Sequence, residues 1–201
     1  MPFELPISLD VTGRRCVVVG GGPAAASRTV TLVEAGADVV DVTADEYRPE
    51  LLDGAFVAIL TGEDSTDPAT FFADAEARGV LVSSMDDVEH CHFAFPSIVR
   101  RGDLQLAIST GGRAPALSRR LRLHLEQLLP QAVTTLVDAL GEAREAALPR
   151  RIAFAEWASR WRAAVADLDE LVALCEAGRA DEVRDRVVAA VSEEAASEEA
   201  A

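Results

Sequence analysis

The stretch Cys16-Val17-Val18-Val19-Gly20-Gly21-Gly22-Pro23-Ala24-Ala25-Ala26-Ser27-Arg28 decides the fold of this chain. An unbroken β-branched run stops at three glycines and passes into alanines, which reads as a buried parallel strand, a tight turn and a helix start. Gly20 turns the chain, Gly22 lets the backbone approach a ligand, and Ala25 takes the third small position of a G-x-G-x-x-[GA] fingerprint. Pro23 and Ala24 join the candidate cofactor residues at the helix start, whose free N–H groups suit a pyrophosphate. The context is that of a dinucleotide unit. The helix runs from Ala24 to Ala35 and Gly36 ends it; a second strand follows from Ala37 to Val42. Asp41 then falls about 20 residues past the first glycine, where an acid bonds a ribose 2′-OH. That carboxylate favours NAD over NADP. The plainer reading of the same residues is a glycine-rich turn that binds nothing, with Asp41 a solvated strand-end acid.

Outward from this unit the grammar repeats. A polar piece, Thr43 to Glu50, leads through Pro49 and Leu51-Leu52 to one expected helical turn and a third buried strand, Ala55 to Leu60. That strand ends at Thr61-Gly62-Glu63-Asp64, on the carboxyl edge that faces a cofactor crevice, so Thr43 and Thr61 join the candidate cofactor residues. Asp67-Pro68 caps a helix to Arg78, Gly79 ends it, and Val80 to Ser83 is a fourth strand. The order predicts an α/β fold with a doubly wound, Rossmann-like parallel sheet. Ala94 to Val99 and Leu104 to Ser109 then read as a hairpin joined by Arg100-Arg101-Gly102-Asp103. Gly111-Gly112 leads into a helix from Pro115 to Leu129 with Leu117, Leu121, Leu125 and Leu128 on one face. After Pro130 the pattern is helical, over 132–147, 150–167, 169–177 and 180–191. The expected organisation is a nucleotide-binding domain over 1–92, a small α+β dimerisation layer over 93–130, a C-terminal helical domain over 131–191 and a disordered tail over 192–201.

Composition narrows the class. Of 201 residues, 49% are hydrophobic, enough for a core, and there is no 18-residue apolar run or signal-peptide pattern, which predicts a soluble cytoplasmic protein with no membrane partner. Cys16, Cys91 and Cys175 lack the spacing of a disulfide framework or zinc site and read as small core residues. The net charge of −15 disfavours nucleic acid and suits a strongly screening solvent. All 19 basic residues are arginines, and six of them (Arg100, Arg101, Arg113, Arg119, Arg120, Arg122) fall between Ser97 and Leu125 against one acid, Asp103. Such a basic island in an acidic chain marks a place for an anion, unless its arginines pair with acids across a dimer.

Three motifs in register resemble one family. They are Gly20 to Arg28, similar to GGG-x-x-A-x-x-[RK]; Met85-Asp86-Asp87-Val88-Glu89-His90-Cys91-His92-Phe93-Ala94-Phe95-Pro96-Ser97-Ile98-Val99-Arg100-Arg101-Gly102, similar to V-D-[DA]-x-x-x-C-x-F-x-x-P-[AS]-I-x-x-R-[GS]; and Ser109-Thr110-Gly111-Gly112-Arg113-Ala114-Pro115-Ala116-Leu117-Ser118-Arg119, similar to S-[TS]-G-G-x-S-P-x-L-A-R. The family is precorrin-2 dehydrogenase/sirohydrochlorin ferrochelatase, the N-terminal region of siroheme synthase. The resemblance runs from about Leu5 to Pro130. It implies NAD-dependent oxidation of precorrin-2 to sirohydrochlorin, in some members insertion of ferrous iron as a second substrate, and a homodimer built on the hairpin and the following helix. Its key aspartate maps to Asp86. The expected chain has no methyltransferase domain. Ala114 stands where the family has serine, and Thr29 where lysine is common after Arg28.

The residues fit that chemistry. Removing two hydrogens from a reduced tetrapyrrole needs a hydride acceptor and a group to take a proton. Asp86, at the carboxyl end of the fourth strand, is the candidate base unless it merely caps the following turn; adjacent Asp87 is its understudy. The tetrapyrrole is an octacarboxylate, which gives the basic island a purpose. Arg113, beside Gly111 and Gly112 at a helix start, combines a donor fork with free backbone amides, while Arg100, Arg101, Arg119 and Arg120 face further carboxylates or a dimer partner. His90-Cys91-His92 reads as a buried cysteine between exposed histidines, and no resident metal site is expected. Trp157 and Trp161, at i and i+4, read as a core face. The competing readings are a bifunctional or sole sirohydrochlorin ferrochelatase and, from another class, an NAD/NADH-sensing regulatory dimer without catalysis.

Overall fold

A computed structural model describes residues 5–62, 66–147 and 153–192. The described residues divide into two compact units, one drawn from Met1–Pro96 and Ser109–Pro115, the other from Ser97–Ile108 and Ala116–Ala201.

The first unit is built on four parallel strands: β1 (Arg15–Val19), β2 (Asp38–Val42), β3 (Val57–Leu60) and β4 (Leu81–Ser84), in the order β2-β1-β3-β4. Helix α1 (Gly22–Glu34) follows β1 and α2 (Pro68–Glu76) precedes β4. Side-chain alternation in the strands divides the core into two layers. Val17, Val19, Ala58, Leu60 and Val82 pack with Phe71 and Ala75 of α2. Cys16, Val18, Val57 and Ile59 pack with Ala25 and Leu32 of α1. Each fully buried Val, Ile or Phe in these layers contributes about 1.5–3 kcal/mol of transfer free energy. Burial on both faces is why β1 and β3 read as continuous apolar runs instead of alternating ones. The chain passes from β2 over β1 to β3, so the strand order reverses between β1 and β3, the topological position where such sheets open a crevice. Two 3₁₀ turns, Ala44–Glu46 and Pro49–Leu52, join β2 to β3 where the sequence suggests only the second. The first is held by Thr43, whose backbone and hydroxyl both donate to Glu46, at 3.0 and 2.9 Å.

The second unit holds the hairpin of β5 (Ser97–Arg101) and β6 (Leu104–Ile108), followed by α3 (Pro115–Leu128), α4 (Ala132–Ala147), α5 (Phe154–Ala164), α6 (Leu168–Glu176) and α7 (Ala180–Ser192). Leu136, Ala139, Ala143, Leu171, Val183 and Val187 form its core, with Trp161 packed against it. The expected helix start at 150 lies outside the described residues, as does the expected tail over 192–201 except for Ser192, which belongs to α7 instead. One expectation needs correcting. Arg100 and Arg101 are not loop residues: they pair with Gln105 and Leu104, and the turn is Gly102-Asp103 alone. Gly102 sits at φ +57°, and a Cβ there would lie 2.6 Å from Thr134 of α4, so the tight turn is what lets the hairpin tip approach that helix.

Candidate active site

Strand register sets the floor of the site. Val42, Val19, Leu60 and Ser84 stand in one row across the sheet, so Thr43, Gly20, Thr61 and Met85 form its carboxyl edge. Gly20 is wedged into that edge. Its N–H donates to Val42, and Thr61 N–H donates to Val19, both at 2.9 Å. At φ +130° a Cβ on Gly20 would lie 2.1 Å from Thr61 Oγ1 and 2.7 Å from the Thr61 carbonyl oxygen. Thr61 is buried, its hydroxyl 3.3 Å from the Val19 carbonyl. Gly62 continues the edge with its Cβ position 3.7 Å from the Met85 carbonyl.

The start of α1 opens above Gly20. Gly22, at φ +71°, and Pro23 are its first residues, two earlier than the alanines suggest, because a proline in the first turn needs no amide partner. No side chain caps this helix, and its first turn carries no acid. By contrast α2 is capped by Asp67, which accepts from Thr70 N–H at 3.0 Å. The amides of Gly22, Ala24 and Ala25 thus lie in the uncapped first turn, and the space beside Gly21 is open, with no atom within 4 Å of a Cβ built there. Those features fit a dinucleotide phosphate. Asp41 is exposed near the end of β2, and Thr29 of α1 donates to its carboxylate at 2.6 Å, which fixes its orientation.

Beyond β4 the segment 85–92 is a closed loop organised by residues other than Asp86. Asp87 accepts from the backbone of Glu89 and His90, at 3.1 and 3.3 Å, and pairs with His90 Nδ1 at 2.8 Å. This ion pair lowers the pKa of Asp87 and raises that of His90. Cys91 Sγ accepts from Ser84 N–H at 3.0 Å and reaches the Ser84 and Asp87 carbonyls at 3.2 and 3.1 Å; burial pushes its thiol up. His92 Nδ1 accepts from Val82 N–H at 3.1 Å, so its neutral ring carries the proton on Nε2, which lies 3.4 Å from Glu76. Both imidazoles pack on Phe72, His92 stacked at 4.7 Å and His90 edge-on at 5.8 Å. His90 is half-buried where the sequence suggests exposure, His92 is exposed as expected, and no group of three potential ligands is placed for a metal among the described residues.

Asp86 remains. It is exposed, makes no hydrogen bond among the described residues, and is the sole described non-glycine residue with positive φ, +62°. The left-handed conformation costs about 1 kcal/mol for a residue with a Cβ, least for Asp and Asn. Turn capping, the plainer role for Asp86, is carried by Asp87.

The basic island is divided. Arg101 donates to the carbonyls of Leu129, at 3.0 Å, and Glu126, at 2.5 Å, and so caps the end of α3; Arg122 pairs with Glu126 on α3. Arg100, Arg113, Arg119 and Arg120 have no ion pair among the described residues. The expectation of free amides at Gly111 and Gly112 is only partly met. α3 begins at Pro115, and the N–H groups of Gly111, Arg113 and Ala114 go to Ser109, to the Thr110 carbonyl and to the Thr110 hydroxyl. Arg113 lies in the first unit, Arg100 and Arg119 in the second. Sequence reasoning gave no role to Arg28, which stands half-buried on the Ala25–Leu32 stripe of α1 over the Phe95 ring. A charged residue on an apolar stripe was the available signal.

Comparison with known proteins is consistent across this length. A family model described as "Putative NAD(P)-binding" matches residues 7–97, and one described as "Sirohaem biosynthesis protein central" matches 101–128. The chain is 35% identical over 179 residues to a siroheme synthase of Photorhabdus laumondii, covering 80% of this chain and 38% of that protein. It is 39% identical over 160 residues to siroheme synthase 1 of Pectobacterium atrosepticum, covering 70% and 33%. The chain therefore spans only about a third to two fifths of these relatives. Among solved structures, SirC, a precorrin-2 dehydrogenase, matches with a TM-score of 0.67 at 20% identity, covering 92% of this chain and 98% of that one, a likeness of fold.

Proposed function

We propose that this chain, similar to siroheme synthases over its NAD(P)-binding and central regions, is an NAD-dependent precorrin-2 dehydrogenase. The observation that carries the reading is the free carboxylate of Asp86, held in a left-handed conformation at the carboxyl edge of β4, on the same edge as the Gly20–Ala25 loop. Bound NAD supplies the hydride acceptor. The uncapped first turn of α1 would hold its pyrophosphate, bordered by Thr43 and Thr61, and Asp41, oriented by Thr29, would receive the adenosine ribose. Asp86 would take the proton that precorrin-2 releases as conjugation extends and a hydride leaves for NAD, so that the products are sirohydrochlorin, NADH and, once Asp86 releases it, a proton. Arg113, in the same unit as Asp86, contributes positive charge toward the substrate carboxylates. The working form is a homodimer: Leu117, Leu121 and Leu128 of α3 are 51%, 38% and 61% exposed, an apolar face that a second copy would cover.

The test is anaerobic. Protein, precorrin-2 and NAD are mixed without metal, and NADH and the sirohydrochlorin spectrum are followed. Asp86→Asn keeps a residue that tolerates positive φ while removing the base, so we expect normal folding and NAD binding with turnover reduced about 10²- to 10⁴-fold. Unchanged turnover in the variant would remove Asp86 from the mechanism. A wild-type protein that binds NAD but forms no NADH would remove the dehydrogenase reading, and added ferrous iron would then test for chelation alone.

A further inference from the structure

Arg28 is a cation of the first unit that the proposed chemistry leaves unexplained. It lies one turn past Ala25 and one before Leu32, on the face of α1 turned to the sheet. Its guanidinium carbon sits 4.1 Å over the centroid of Phe95, and Phe95 is itself braced edge-on by Phe93 at 5.4 Å. No carboxylate pairs with it among the described residues, whereas Arg78, Arg160 and Arg184 each find one. Burial alone lowers its pKa, with no acid to offset the cost. A half-buried, uncompensated charge is expensive to keep in that state. Stacking restrains the planar guanidinium while leaving its in-plane donors for a carboxylate or phosphate fork.

Direction matters as much as charge. Helix α1 descends from the carboxyl edge of the sheet, and helical side chains lean back toward the N-terminus, so the long Arg28 side chain is biased up toward the edge that holds Gly20 and Thr61. Phe95 lies in the segment that leaves the Asp86 loop, so the guanidinium is anchored to the same piece of chain that follows the candidate base.

Resting on the dehydrogenase reading above, we propose that Arg28, pre-oriented on Phe95, is an oxyanion-binding residue of the first unit that holds a carboxylate of the tetrapyrrole. The same fork would accept a dinucleotide phosphate, but the α1 amides already serve that group, which favours the substrate.

The experiment titrates wild type, Arg28→Gln, Arg28→Lys and Phe95→Leu with NAD and, separately, with uroporphyrin III as a stable octacarboxylate probe. Thermal unfolding monitors each variant. Losing a charge-assisted bidentate contact should weaken uroporphyrin binding about 10- to 100-fold in Arg28→Gln, with NAD affinity unchanged. Arg28→Lys should recover only part, since it restores the charge without the fork, and Phe95→Leu should weaken the probe with the arginine still present. Equal uroporphyrin affinity in wild type and folded Arg28→Gln overturns the proposal while leaving the dehydrogenase reading intact. Loss of NAD affinity instead reassigns the fork to the dinucleotide and overturns the carboxylate assignment. A wild-type protein that ignores uroporphyrin sinks the substrate class and this proposal with it.

Discussion

Gly20 and Gly21 are neighbours with opposite reasons to be small. Gly20 takes a backbone conformation that disfavours any Cβ, and the atom such a Cβ would strike includes a carbonyl oxygen that cannot rotate away. Gly20→Ala should therefore cost about 2–4 kcal/mol in urea unfolding, from strain and overpacking together. Adding Thr61→Ala should recover only part of it, because the carbonyl at 2.7 Å remains. Gly21 is extended, at φ −140°, beside open space, so Gly21→Ala should fold within about 1 kcal/mol of wild type. If the dinucleotide fills that space, Gly21→Ala will still weaken NAD, a loss of binding without loss of stability. The fingerprint spelled out these positions. It did not say that Gly20 is required by β3 while Gly21 is left to the ligand, because Thr61 is 41 residues away.

The 85–92 loop is an element without regular secondary structure whose order comes from side chains. Its Asp87–His90 pair is the part that responds to pH. His90 is raised above its ordinary value, so its stabilising effect is complete below about pH 6.5 and lost as pH rises through the folded value. Asp87 is lowered, so its effect is complete above the ordinary carboxylate value and lost as pH falls through the folded one. The loop is thus best held between the two. An NMR titration of the imidazoles should put the His90 midpoint above 6.5, moving back toward that value in Asp87→Asn; a midpoint at or below 6.5 in wild type would contradict the ion pair. The sequence marked Asp86, Asp87 and Cys91 as a group. Which aspartate caps and which is free depended on Cys91 reaching back to Ser84, a closure that local patterning does not encode.

For the molecule as a whole, the helix α3 leaves its apolar stripe uncovered. Ser118 is its one buried residue among those described, although its leucines recur at helical spacing. A chain of net charge −15 has little reason to expose three leucines on one helix unless something covers them, and a stable interface needs about 800 Å² per partner. Sedimentation should find a dimer in wild type and a monomer in Leu121→Glu, with far-UV ellipticity retained. A monomeric wild type at micromolar concentration would leave that face without its proposed occupant.

What the sequence determined by itself is the succession of elements. The β-branched runs, their glycine and proline stops and the helical leucines are local signals, readable in windows of ten or so residues, and they placed the parallel sheet, the hairpin and four of the C-terminal helices to within a few positions. Tertiary structure alone decided how the arginines and acids are used. Arg101 was drawn out of the anion island to cap carbonyls of α3 more than twenty residues away, Asp41 was fastened to Thr29, and Arg28 met Phe95 across 67 positions. A residue's type and spacing state what it can bond. Which partner it gets depends on chain segments that meet only when the apolar layers close, and that meeting separates a committed side chain from one left for a ligand.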